Sequence, residues 1–236
     1  MRNTTIIALK EFKSYLASPT AYIVTGIFLI ATGIFFSSSP ATYLGTSITG
    51  FLQTASLLLL LLSAALTMRL LAEERKLGTI EILLTAPVRD SEVILGKYLG
   101  SLGVLITMLV LTLYYPLLLI IFGDPDIGPI VTGYLGLLLL GGSSLAVGIF
   151  ASSLTSNQIV AAVVSSGILF ALWFLGIGAS YLPEALGEVL GFLSFSYYFP
   201  DFMRGIIDTR GVIYYLSIAA LFLFLAIRSL ENSRWS

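Results

Sequence analysis

The chain has no cysteine and no histidine among its 236 residues. Their absence removes disulfides, thiolate nucleophiles, imidazole bases and the commonest transition-metal ligands together. Charge is also scarce, with 12 lysines and arginines and 13 acids making up 11% of the sequence. No G-x-x-x-x-G-K-[ST] stretch occurs, so the chain carries no phosphate-cradling loop of that kind. No G-x-S-x-G frame occurs either, and the Ser143–Ser144 doublet has no histidine to act as its base.

Apolar residues fill the space these absences leave. Hydrophobic residues make up 57% of the chain and the mean hydropathy is +0.99, far outside the balance of a soluble domain. The composition is that of an integral membrane protein. No polar block is large enough for a separate soluble domain, so residues 1–236 read as one membrane domain. A net charge of -1 says little about partners.

A spanning helix needs roughly 20 apolar residues, because hydrocarbon offers no partner to an unpaired backbone group. Four uncharged runs meet that need: 14–68, 98–123, 127–183 and 211–227. The first divides at "SSSPATYLGTSITG" and the third at "ASSLTSNQ", stretches rich in turn residues. The expected fold is therefore all-α with six transmembrane spans, near 19–36, 51–68, 92–122, 128–150, 159–182 and 211–230. An even number places both termini on one side. If that side is the cytoplasm, ten of the 12 basic residues fall inside and only Arg204 and Arg210 outside, as the positive-inside rule requires.

Residues 3–18 lack the pattern of a cleavable signal and read as a retained amphipathic helix at the membrane interface. Ile6, Ala8, Leu9, Phe12, Tyr15 and Leu16 share its apolar face, with Lys10, Glu11 and Ser14 opposite and Ile7 out of register.

The loop after the second span, "EERKLGTIEILLTAP" (73–87), is the chain's unusual feature. Leu77, Ile80 and Leu84 fall at helical spacing, Gly78 interrupts, Thr79 can cap a new turn, Glu81 suits that turn's dipole and Pro87 stops it. Asp90 or Ser91 can then cap the third span, which carries Lys97 near the interface. A charge run is usually a solvated anchor. Here five acids accompany five bases from Arg69 to Lys97, and balanced charge beside apolar side chains suits a protein contact better than a lipid headgroup.

The pattern E-E-R-x-x-G-T-x-E-x-L-L-x-x-P, followed by "GKYLG" (96–100), resembles the membrane subunits of type-2 ABC exporters, especially the gliding-motility permease group. "KEFKSYLASPTAYIV" and "FMRGIIDTRGVIYYLS" are similar to the same group. The resemblance implies that 73–87 is a cytoplasmic coupling helix, with Glu73, Glu74, Gly78, Thr79, Glu81 and Pro87 docking on a separate ATPase. It further implies two copies of a P-loop ATPase holding ATP and Mg, a second permease half, and a place in a prokaryotic inner membrane. No cofactor is expected in this chain, and no nucleic-acid partner.

The long outer segment 184–210 reads as re-entrant or interfacial helices, with Phe192, Phe195, Tyr197, Tyr198, Phe199 and Phe202 at the membrane surface. Arg204 and Asp208 are spaced to pair along one helical face, and a rival reading has them guard the exit or hold an accessory subunit. Asp124 and Asp126, in "GDPDIGP", read as turn formers rather than a metal pair. Span four is glycine-rich for close packing, with Ser143 and Ser144 as pathway candidates. An ion-coupled carrier would need ionisable groups at membrane depth, and an intramembrane enzyme would need clustered catalytic groups. A non-transporting scaffold or regulatory subunit remains the main alternative to an exporter of a hydrophobic or amphiphilic substrate.

Overall fold

The structure is a computed structural model that describes residues 2–38, 47–78, 88–179 and 183–232. The described residues form eleven helices and no strand: α1 (Arg2–Ala17), α2 (Pro19–Ser38), α3 (Thr49–Thr67), α4 (Ala72–Lys76), α5 (Asp90–Leu111), α6 (Tyr114–Phe122), α7 (Ile127–Ser153), α8 (Gln158–Ala179), α9 (Glu184–Phe192), α10 (Phe195–Met203) and α11 (Thr209–Asn232). Six helical stretches among them are long and apolar enough to cross a membrane, the number expected from the uncharged runs.

The bundle is built around α7, which packs against α3, α5, α8, α10 and α11. Its small residues explain why it takes the centre. A Cβ placed on Gly136 would lie 2.8 Å from Phe202 Cβ, one on Gly141 would lie 2.7 Å from Leu105 Cδ2, and one on Gly148 would collide with Thr67 Oγ1. In lipid, where apolar side chains gain nothing by leaving solvent, such close backbone approach supplies much of the packing energy. Ser143 and Ser144 are buried and donate back to the Leu140 carbonyl at 2.8 and 2.7 Å, which suits close packing of α7. Helices α2 and α8 sit outside, turning Ile23, Ile30, Ile159 and Val163 outward.

The third span is two helices, not one. Pro116 has no N–H for the Thr112 carbonyl four residues earlier. That carbonyl accepts the Tyr115 amide at 3.0 Å and the Tyr134 hydroxyl, reaching across from α7, at 2.9 Å. A tyrosine from a neighbouring helix thus satisfies the group that the proline orphans. At the start of this span neither Asp90 nor Ser91 is the cap. Arg89 occupies that position in extended backbone, and its amide donates to Glu92 Oε2 at 3.1 Å.

The outer segment also departs from expectation. Phe195, Phe199 and Phe202 are fully buried and Tyr198 nearly so, leaving only Phe192 and Tyr197 exposed. The aromatic run points into the bundle against α7 and α11 because Gly136 opens room for Phe202. Ser194 caps α10 by accepting the Ser196 amide. Both serine hydroxyls donate to the Trp173 carbonyl, at 3.0 and 2.8 Å. Tyr214 and Tyr215, on α11, donate to the carbonyls of Leu193 and Phe195 at 2.5 and 2.9 Å.

Candidate functional site

The end of the bundle opposite these aromatics brings together α1, α4, the start of α5 and the end of α7. Helix α1 reaches α5 through a glycine groove. A Cβ on Gly96 would lie 2.6 Å from Ile7 Cγ2, one on Gly100 would lie 2.7 Å from Glu11 Cβ, and one on Gly103 would lie 2.9 Å from Phe12 Cδ2. The face of α1 turned inward is therefore Ile7, Glu11, Phe12 and Tyr15, while Ile6, Leu9 and Leu16 point outward. This departs from the sequence reading: Ile7 and Glu11 join the inner face with Phe12 and Tyr15, while Ile6, Leu9 and Leu16, read as sharing that face, point away from it.

Glu11 turns inward because Lys97 waits there. The Lys97 side chain is only 2% exposed, and its ammonium donates to Glu11 Oε1 at 3.0 Å and to Glu74 Oε1 at 2.8 Å. One buried cation thus joins three elements: α1 through Glu11, α4 through Glu74, and α5 on which it sits. A buried ammonium without a counter-charge costs several kcal/mol, so these carboxylates define where α1 and α4 rest.

A second joint is made by Ser152 at the end of α7. The amides of Leu71 and Ala72 both donate to its Oγ at 3.1 Å, and its hydroxyl donates to the Met68 carbonyl at 3.0 Å. Helix α4 has only five residues and would not persist on its own. Its first amides lack helical acceptors, and Ser152, fully buried, supplies one. Next to it the Ser153 carbonyl accepts Ser229 Oγ of α11 at 3.1 Å, extending the connection to the last span.

Tyr15 and Arg69 fix the remaining corner. Tyr15 donates to the Leu66 carbonyl at 2.6 Å, and burial pushes its hydroxyl well above the ordinary phenol range, so it stays a neutral donor. Arg69 lies over the Tyr15 ring at 5.0 Å, and its Nη1 donates to Ser18 Oγ and Thr20 Oγ1 at 2.8 and 3.0 Å. Between α1 and α4 the walls enclose a cleft of about 500 Å³.

The residues singled out from sequence are distributed as follows. Glu74 is in the ion triad, Glu73 lines the cleft, and Gly78 is exposed with a φ of 70°, a left-handed turn suited to glycine. Thr79, Glu81 and Pro87 lie outside the described residues. The helix does not run unbroken from residue 73, since α4 ends at Lys76 and Gly78 redirects the chain. Arg204 and Asp208 share no helix: Arg204 caps the end of α10, Gly205 turns at a φ of 88°, and Asp208 accepts the Arg210 amide at 2.9 Å ahead of α11. No ion pair forms between them among the described residues. Sequence reasoning missed Glu11, Lys97 as a buried partner, and Ser152. The signal for Lys97 was the glycine spacing around it, which marks a helix passing at close range.

The family model described as ABC-2 family transporter protein matches residues 38–228. The curated proteins contain no match to this chain.

Proposed function

The chain belongs to the ABC-2 family of transporter proteins, whose members are membrane components working with an ATPase partner, and from that premise we propose that it is an exporter permease driven through its 73–87 segment. In this reading both termini and α4 face the cytoplasm of a prokaryotic inner membrane. Two copies of a P-loop ATPase, which hold the ATP and Mg, dock on two permease halves. Glu73, Glu74, Gly78, Thr79, Glu81 and Pro87 form the docking segment, and the cargo is hydrophobic or amphiphilic. Kinship with the gliding-motility group is part of the proposal, as is an accessory outer subunit.

The observation that carries it is the way α4 is joined to the bundle. Its exposed tip, at Lys76 to Gly78, leads into the charged loop, while its root is held by Lys97 and Ser152. ATP binding closes the two ATPase subunits and displaces the docked segments. The displacement passes through Glu74 and Lys97 to α1 and α5, and through Ser152 to α7 and α11. A linkage that keeps these elements attached as they move allows the spans to rock between inward-open and outward-open states.

The test is co-purification with the ATPase and its loss in the Glu73→Lys, Glu81→Lys double variant. Retained binding sinks the docking role. Because the chain has no native cysteine, a single cysteine at position 79 reports sidedness cleanly, and labelling from outside the cell overturns the orientation.

A further inference from the structure

The cleft between α1 and α4 holds charges that the two joints leave unused. Glu11, Glu74 and Lys97 are spent on one another. Arg69 and Glu73 line the same cleft without pairing, to each other or to any other charged group among the described residues. Arg69 is held in place by Tyr15, and its Nη1 donates to Ser18 Oγ and Thr20 Oγ1. A guanidinium has five N–H donors in a fixed fork that matches an oxyanion such as phosphate. Lys10, at the exposed rim, is open to solvent. The cleft thus presents one fixed cation and one carboxylate, the complement of a zwitterion.

Position adds a second constraint. Helix α2 begins at Pro19 and α3 ends at Thr67, so Ser18 and Arg69 sit beside the ends of two apolar helices. That is the depth of lipid headgroups. The lining is mostly charged and polar, with Lys10 exposed at the rim, and Leu77, 66% exposed, adds an apolar side chain to it. Charges of both signs beside an apolar side chain fit an amphiphile better than a free ion.

We propose that this cleft binds the headgroup of a phosphatidylethanolamine, its phosphate on Arg69 and its ammonium on Glu73, with the glycerol and acyl chains leaving over Leu77. Choline keeps the charge but has no N–H to donate, and glycerol has hydroxyls to donate but no positive charge, so each makes a weaker Glu73 contact than ethanolamine. Glu73 belongs to the docking segment of the proposed function as well, so lipid and ATPase compete for it, and the lipid is titrated on the permease alone, without the ATPase.

The full chain, purified in mild detergent, is titrated with phosphatidylethanolamine, phosphatidylcholine and phosphatidylglycerol, and bound lipid is read by native mass spectrometry. Phosphatidylethanolamine binds tightest. Arg69→Gln weakens it about tenfold, the loss of one charge-assisted contact. Glu73→Gln, at a half-buried carboxylate, keeps binding but abolishes the preference over phosphatidylglycerol. If Arg69→Gln fails to fold, the Glu73→Gln selectivity change decides alone. Equal binding of all three lipids, or affinities unchanged in both variants, overturns the site and leaves the cleft as a surface for a protein partner. Displacement by inorganic phosphate as readily as by glycerophosphoethanolamine overturns the lipid assignment in favour of a free-anion site.

Discussion

The two ends of the bundle are held by different chemistry. At the α1–α4 end, the contacts among elements run through a buried lysine, two carboxylates, an arginine and a serine, around an open cleft. At the α9–α10 end they run through packed rings: Phe195 and Tyr215 lie 5.5 Å apart edge-on, Tyr198 and Tyr214 stack at 4.6 Å, and hydroxyl groups pin backbone carbonyls. Ring packing is short-ranged and close to all-or-none. Ionic joints on long side chains keep their attraction over a larger displacement. The ring-packed end holds a shape, and the charged end tolerates movement while keeping its parts attached.

Breaking the charged joint has the largest expected effect. Lys97→Met leaves Glu11 and Glu74 facing each other without a cation and costs about 3 kcal/mol, the low end for a buried pair because both carboxylates are partly exposed. Thermal unfolding in detergent measures it, and adding Glu11→Gln and Glu74→Gln to Lys97→Met recovers part of the loss. Ser152→Ala comes next, at roughly 1–3 kcal/mol, since the Leu71 and Ala72 amides lose their acceptor. Faster hydrogen exchange at residues 71 and 72, with the ring-packed end unchanged, is the local signature. Tyr215→Phe removes one hydroxyl-to-carbonyl bond from a packed cluster and costs about 1 kcal/mol. A Tyr215→Phe loss equal to that of Lys97→Met would erase the contrast. Arg204→Ala stays within roughly 0.5 kcal/mol, because that side chain holds no ion pair among the described residues. Unchanged assembly in this variant also removes the idea of an outer guard.

Much of this architecture was legible in the sequence. Hydropathy is a sum over many residues, and four uncharged runs, two of them divided at turn-rich stretches, give six candidate spans whatever their neighbours are. The glycines of α7 announced close packing for the same reason: a missing side chain is a local fact. What failed was direction. Ile7 and Glu11 were assigned by an apolar-face rule, but a glycine groove on α5 and a lysine within it turned that face by part of a turn. The aromatic run of 195–202 was placed at the surface by a composition rule, yet Gly136 gave those rings an interior. The third span was read as one helix over 92–122 although it contains Pro116, and the Tyr134 hydroxyl that repairs the break lies in another helix.

By itself the sequence determined that this is a multi-span membrane protein of helices, with its charge concentrated beside the second span, because the transfer of backbone and side chains into hydrocarbon depends on composition alone. Only the tertiary structure decided that Lys97 lies between Glu11 and Glu74, and that Ser152 holds the root of α4. Those partners stand 86, 23 and about 80 positions apart in the chain, and the energy of a charge or an orphaned amide is settled by what stands a few ångströms away in space.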